Sequence, residues 1–132
     1  MIVVDTSALM AFIASEPAAE QCQAILERER EILMSAATVT EALIVAEGRG
    51  ISADMRYIIE TSVTEIVELT SIRAELAANA YRSWGKGFHP AYLNFGDCFS
   101  YATAKEFDCP LLYIGNDFSK TDVKSAIAAS TS

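Results

Sequence analysis

A run of apolar residues, Met1-Ile2-Val3-Val4, stops at Asp5 and gives way at once to a stretch with helical spacing, and the same order of strand then helix recurs along the chain. Ile32-Leu33-Met34, the alternation through Ile66, Val67 and Leu69, and Leu111-Leu112-Tyr113-Ile114 read as later strands. Helical spacing covers Thr6 to about Ala14, then Ser15-Glu16-Pro17 to about Arg30, with Pro17 near a first turn where its missing N–H costs little. It returns from Ser35 to about Glu47, closed by Gly48 and Gly50, and again from an N-cap region at Ser52-Ala53-Asp54 to about Ser62. Two further helices are predicted from about Ser71 to Trp84 and from Phe95 to about Phe107, separated by a loop over 85–94 that is rich in breakers. Strands alternating with helices predict a three-layer α/β/α sandwich with a central, mainly parallel sheet covered on both faces. Right-handed crossovers then put the carboxyl ends of the strands on one edge, where sheets of this kind build their sites.

A chain of 132 residues, 52% of them apolar, is enough for one domain spanning 1–132, and no repeat, linker or composition shift divides it. No apolar stretch approaches the roughly 18 residues of a membrane span, and the N-terminus enters a strand without a basic leader, so the expectation is a cytoplasmic protein with no membrane partner. Cys22, Cys98 and Cys109 form an odd set without a CxxC pair, which argues for buried reduced thiols over disulfides or structural zinc. The net charge of −8 opposes generic binding to nucleic acid, since that affinity comes from cations neutralising phosphates. Any chemistry on nucleic acid has to be local.

The local feature is a set of acids. Asp5 and Asp117 each follow a strand and so project from the same sheet edge, although they lie 112 positions apart. Asp97 falls in the first turn of a helix, where exposed N–H groups and the helix dipole favour its ionised form. Glu41 sits within a helix, off the main apolar stripe, and can reach inward. Two carboxylates about 5 Å apart repel by roughly 3 kcal/mol at an effective dielectric near 20, so three or four together call for protonation or a cation. Oxygen-only ligation favours magnesium or manganese over zinc. Magnesium held by carboxylates lowers the pKa of a bound water and sets it in line with a phosphodiester, so no His, Ser or Cys nucleophile is needed. The single His89 cannot supply a paired acid and base. Phosphate attraction falls to nearby cations, with Arg82, Lys86 and Lys120 as candidate substrate contacts and a solvated surface role as the competing reading.

These residues carry a family resemblance. The opening run through Asp5-Thr6-Ser7-Ala8-Leu9, Glu41 after the second strand, Leu93-Asn94-Phe95-Gly96-Asp97-Cys98-Phe99 with Tyr101-Ala102, and Gly115-Asn116-Asp117-Phe118-Ser119-Lys120-Thr121-Asp122, in that order, make the chain resemble the PIN-domain nucleases. Within them it is similar to the VapC toxins of bacterial toxin–antitoxin pairs, over essentially its whole length. The resemblance implies a metal-dependent endoribonuclease, inhibited by a cognate VapB-like antitoxin and commonly a homodimer. It implies Asp5, Glu41 and Asp97 as the first three acids. For the fourth, Asp117 is the choice, with Asn116 and Asp122 as supporting or substitute contributors, and Thr6 is the hydroxyl that orients a carboxylate or water. Tyr101, four after Asp97, either packs in the core or lines the site.

Two other functions compete. A phosphatase working through an aspartyl-phosphate would want a second Asp two residues after the first, where Ser7 stands, and a receiver would want paired acids near the first strand. A catalytically silent PIN-like binding module would tolerate neutralisation of its acids. The apolar content of the helices from Ala8 to Leu26 and from Val39 to Val45 exceeds the need of one sheet face, predicting that part of this surface meets a second copy and part the antitoxin.

Overall fold

A computed structural model describes residues 1–127, so the Ala-rich end of the tail, 128–132, lies outside the described residues. Four strands, β1 (Ile2–Val4), β2 (Ile32–Ser35), β3 (Glu65–Val67) and β4 (Leu111–Leu112), form one sheet in the order β3-β2-β1-β4, with every pairing parallel. Among the described residues six helices accompany them: α1 (Thr6–Ile13), α2 (Ala19–Arg28), α3 (Ala36–Gly48), α4 (Ser52–Ser62), α5 (Ser71–Trp84) and α6 (Phe95–Glu106). None of these is long and apolar enough to cross a membrane.

Side chains alternate across the strands and both faces are covered, which is why these strands read as unbroken apolar runs. Ile2, Val4, Ile32, Met34 and Leu112 pack with residues of α1, α2, α3 and α4 on one face, while Val3, Leu33, Val67 and Leu111 pack with α5 and α6 on the other. The surplus apolar character of α1, α2 and α3 is consumed here. Ala8, Leu9, Met10, Ala11, Cys22, Ile25 and Leu26 are buried, and Ile44 alone among the apolar residues from Val39 to Val45 is strongly exposed. Cys22 and Cys98 are buried and all three thiols are free.

Three helices end alike, in ways the sequence half reveals. After α1, α3 and α6 the chain enters the left-handed region at Ser15, Gly50 and Asp108, and the next residue's amide reaches back six positions inclusive, Glu16 to Ala11, Ile51 to Ala46 and Cys109 to Ala104. This Schellman geometry satisfies orphan carbonyls. Because Ser15 is spent on that turn, α2 starts at Ala19, later than the Pro17 signal suggests. α4 begins with Ser52 already inside the helix and Ile51 at the cap, with no side-chain cap bond. At the edge of the sheet β3 buries Val67 and exposes Ile66, so its alternation has only one residue on the core side.

Candidate active site

Asp5 leaves the end of β1 and caps α1: its Oδ2 accepts from the Ser7 amide at 3.1 Å and the Ser7 hydroxyl at 2.7 Å. Its Oδ1 accepts from the Ser100 hydroxyl on α6 at 2.6 Å. Ser100 is fully buried and lies 3.3 Å from the Thr38 hydroxyl of α3, also buried. Both oxygens of Asp5 are therefore fixed by neutral donors. The Ser7 oxygen in turn accepts from the Ile114 amide at 3.1 Å, which ties the end of β1 to the segment that leaves β4 and carries Asp117.

Asp97 is the third residue of α6, in a capping box: Asn94 accepts from the Asp97 amide at 2.9 Å and Asp97 Oδ2 accepts from the Asn94 amide at 3.1 Å. The helix N-terminus does not keep this acid in the ordinary carboxylate range. Burial first, and then the charges of Asp5, Asp117 and Glu41, push it from 3.8 up to about 7, against the lowering pull of the Asn94 amide. The expectation that the helix end would favour ionisation is thus outweighed by desolvation and like charge.

Glu41 is half-buried on α3, and its Oε1 accepts from the Thr6 hydroxyl at 2.7 Å. Burial raises its pKa, the Thr6 bond lowers it and Asp5 raises it again. Gly96 makes room for it: a Cβ at that position would stand 2.0 Å from Glu41 Oε2 and 2.8 Å from its Cδ. Asp117 is exposed, in the turn after β4, with Asn116 exposed beside it and Phe118 buried behind it against Tyr113, ring centres 5.0 Å apart.

Asp97 thus lies within electrostatic reach of Asp5, Glu41 and Asp117. Among the described residues no three acidic, His or Cys side chains are drawn together as closely as a ligand shell. Among those same residues the ion pairs are Met1–Glu29, Arg28–Glu29, Arg73–Glu106 and Lys105–Asp122, and they leave out all four acids. Asp97, raised by burial and then by its acidic neighbours, and Glu41, raised by burial and then by Asp5, stand with no cation paired to them among the described residues, which suits a hard divalent ion.

The remaining candidates sit apart from these contacts. Asp122 accepts from Tyr101 Oη at 2.5 Å and from Lys105 Nζ at 3.1 Å, and Tyr101 Oη accepts from Trp84 Nε1 at 2.8 Å. Tyr101 is buried, and its hydroxyl is pushed up to about 12 by burial and then by Asp122. Arg82 donates to Asn79 on its own helix, Lys86 lies 5.5 Å from the Tyr92 ring centre, and Lys120 is exposed in the loop after Asp117. His89 is half-buried, packs edge-on to Trp84 at 4.7 Å and accepts from the Ala91 amide through Nδ1. Sequence reasoning passed over Ser7, Thr38, Gly96 and Ser100. Their spacing held a signal, since Ser100 is three after Asp97 and Thr38 three before Glu41, on shared helix faces.

A family model for the PIN domain matches residues 2–124. The chain is 41% identical to ribonuclease VapC30 of Mycobacterium tuberculosis over 125 residues, 92% of this chain and 95% of that one. Its fold resembles the crystal structure of Mycobacterium tuberculosis VapC20, a toxin described as cleaving the sarcin–ricin loop, with TM-score 0.73 and 16% identity over 93% of this chain and 96% of that one. It also resembles a toxin–antitoxin complex from Klebsiella pneumoniae, with TM-score 0.72 and 18% identity over 96% and 98%. With matched sequence over nearly its whole length and the sheet order on which that match is laid out, the chain belongs to the PIN domain family, in its VapC branch.

Proposed function

We propose that this protein is a divalent-metal-dependent endoribonuclease and the toxin of a toxin–antitoxin pair. The observation that carries the reading is the set of uncompensated acids around Asp97. Asp5, Asp97 and Asp117 would hold a Mg2+ ion, with Mn2+ a chemically close substitute. When bound, the ion lowers the pKa of an attacking water and offsets charge that develops on the phosphate.

The rest is done by the chain. Asp5, gripped at both oxygens, and Asp97, held by its capping box, offer carboxylates that do not need to be ordered when substrate arrives. Glu41 carries the proton step: Oε1 is engaged by Thr6, so Oε2 is the atom that accepts a proton from water, and its raised pKa makes it a better base than an ordinary carboxylate. Asn116 shapes the loop of Asp117 through its carbonyl, which accepts from the Ser119 amide and hydroxyl, Asp122 is held instead by Tyr101 and Lys105, and Lys86, Arg82 and Lys120 are the cations available to phosphates.

Two partners complete the reading. A cognate antitoxin, VapB-like, is supported by the likeness to a toxin–antitoxin complex. A second copy is assigned to the face where Ile44, Leu69 and Phe95 stay exposed around two adjoining apolar hollows of about 430 and 550 Å³. Light scattering on the purified chain reads that state directly, and a monomer at high concentration excludes it.

The test of the activity is cleavage of labelled RNA by the purified protein with Mg2+, with EDTA, and in the Asp97→Asn variant. Cleavage that needs the ion and falls at least 100-fold in the variant is expected. Equal cleavage by Asp97→Asn would reject the proposal.

A further inference from the structure

We propose that the loop between α5 and α6 is a stacking platform for unpaired bases of the RNA, with Tyr92 and Phe88 as its surfaces and Lys86 as its phosphate contact. The proposal rests on the ribonuclease reading and specifies how an acidic protein holds that substrate.

The loop is built, not slack. A parallel bridge joins Gly85 to Leu93, the Lys86 amide donates to Leu93 O at 2.9 Å and the Leu93 amide to Trp84 O at 3.0 Å. Inside it the Phe88 and His89 amides both reach Gly85 O, and the Tyr92 amide reaches His89 O. Ala91 and Leu93 are buried, yet Phe88 and Tyr92 between and beside them are 64% and 59% exposed. Two large rings are left in solvent by a segment whose backbone is largely hydrogen-bonded within the loop.

Tyr92 also stands at φ 61°, in the left-handed region. A β-carbon and a bulky ring make that conformation costly, and Gly or Asn would adopt it more cheaply. Strain of this kind at an exposed aromatic, with nothing packed to gain, points to a use for the ring outside the fold. Lys86 Nζ lies 5.5 Å from the centre of that ring, so a cation and a π face are presented together. Phe88 is steadied edge-on by Tyr81 at 5.9 Å.

The platform runs directly into the acid site. Leu93 anchors the chain, Asn94 caps α6 and Asp97 follows, so Tyr92 is five residues from Asp97 and at most about 18 Å from it along the backbone. One strand of RNA can occupy both. With a net charge of −8, broad neutralisation of phosphates cannot supply the affinity, whereas stacking on aromatic rings needs no net positive charge. It does need bases that are splayed out of a helix, which selects single-stranded segments.

The experiment measures fluorescence anisotropy of a short unstructured oligoribonucleotide and of its duplex, with Mg2+, on protein silenced by Asp97→Asn, a change that keeps an oxygen for the cap. Adding Tyr92→Gly, which removes the ring and relieves the backbone, is expected to weaken single-strand binding by about 5- to 150-fold while melting temperature holds or rises. Phe88→Ala is expected to weaken it in the same direction, Tyr92→Trp to preserve it, and the duplex to bind weakly in every case. Replacing Lys86 by Ala should make the fall of log affinity with log salt shallower by roughly 0.7, the share of one phosphate contact on a single strand. Unchanged affinity in both Tyr92→Gly and Phe88→Ala overturns the platform, as does equal loss for single strand and duplex, or a loss of self-association with RNA binding intact. Cleavage by Asp97→Asn alone tells against the nuclease reading, whereas silent Asp97→Asn with undiminished binding in the loop variants tells against the platform only.

Discussion

Gly96→Ala separates stability from activity. The added Cβ would lie 2.0 Å from Glu41 Oε2, the far end of a flexible side chain, while Gly96 itself has ordinary helical backbone in the first turn of α6. To reach ordinary contact the carboxylate has to retreat by roughly 1.4 Å. It can do so by turning its own torsions, so the fold bears little cost, and Ala gains up to about 1 kcal/mol of helix propensity over Gly. Melting temperature should stay level or rise. The site fares differently, because the 2.7 Å bond from Thr6 cannot survive that retreat, and a charge-assisted bond of this kind is worth about 1.5–3 kcal/mol. Displacing a reacting group by about 1 Å costs on the order of 100-fold. Cleavage of a labelled RNA should therefore fall by roughly two orders of magnitude in a protein as stable as its parent. Shortening the acid clears the clash, so Glu41→Asp should cost less in the Gly96→Ala background than alone, a non-additivity measured in a double-mutant cycle. Parental cleavage by Gly96→Ala would show that Glu41 in this pose takes no part, and unfolding would show that backbone, not side chain, meets the new methyl.

Three further outcomes follow from contacts at the site. Ser100→Ala leaves Asp5 Oδ1 without its 2.6 Å donor and the Thr38 hydroxyl without a partner, so denaturant melts should show a loss of about 1–3 kcal/mol, with activity reduced as well. Tyr101→Phe keeps the buried ring but leaves Trp84 Nε1 without its acceptor, while Asp122 keeps Lys105, so a loss of about 0.5–1.5 kcal/mol is expected, and adding Asp122→Asn to it should cost little more. Asp97, raised from 3.8 to about 7, binds its proton more tightly in the folded state, so metal-free protein should lose stability as pH climbs from about 4 through 7. Mg2+ should then raise the melting temperature more at about pH 8 than at about pH 5.5, and a flat metal-free profile across that window would contradict the crowding of the acids.

The strands, the span of α5 and the helix carrying Asp97 were legible because apolar runs and 3.6-residue spacing are local. Helix ends were legible only where the chemistry advertised them. Gly50 announces a left-handed turn, but Ser15 and Asp108 make the same turn with ordinary side chains. Asp5 and Asp117 could be placed on one edge from topology alone, whereas Glu41 and Asp97 join them in the sequence only through the family resemblance. The bonds that fix them could not: Ser100 reaches Asp5 across 95 positions and Ser7 reaches the Ile114 amide across 107, and no local pattern encodes either. Burial was equally hidden, so the dipole at α6 looked decisive for Asp97 until the enclosing side chains were seen to outweigh it. The apolar residues of α1 and α2 exceed the need of one sheet face because these helices also pack against α3 and α4 in the same core.

The Ser7 oxygen is shared between the Asp5 carboxylate and the Ile114 amide. Anything that tightens the grip on Asp5 also steadies the stretch leading to Gly115 and Asp117. Loading the protein with an ion should therefore shield the peptide bond after Lys120 from trypsin, giving a read-out of occupancy that needs no RNA at all.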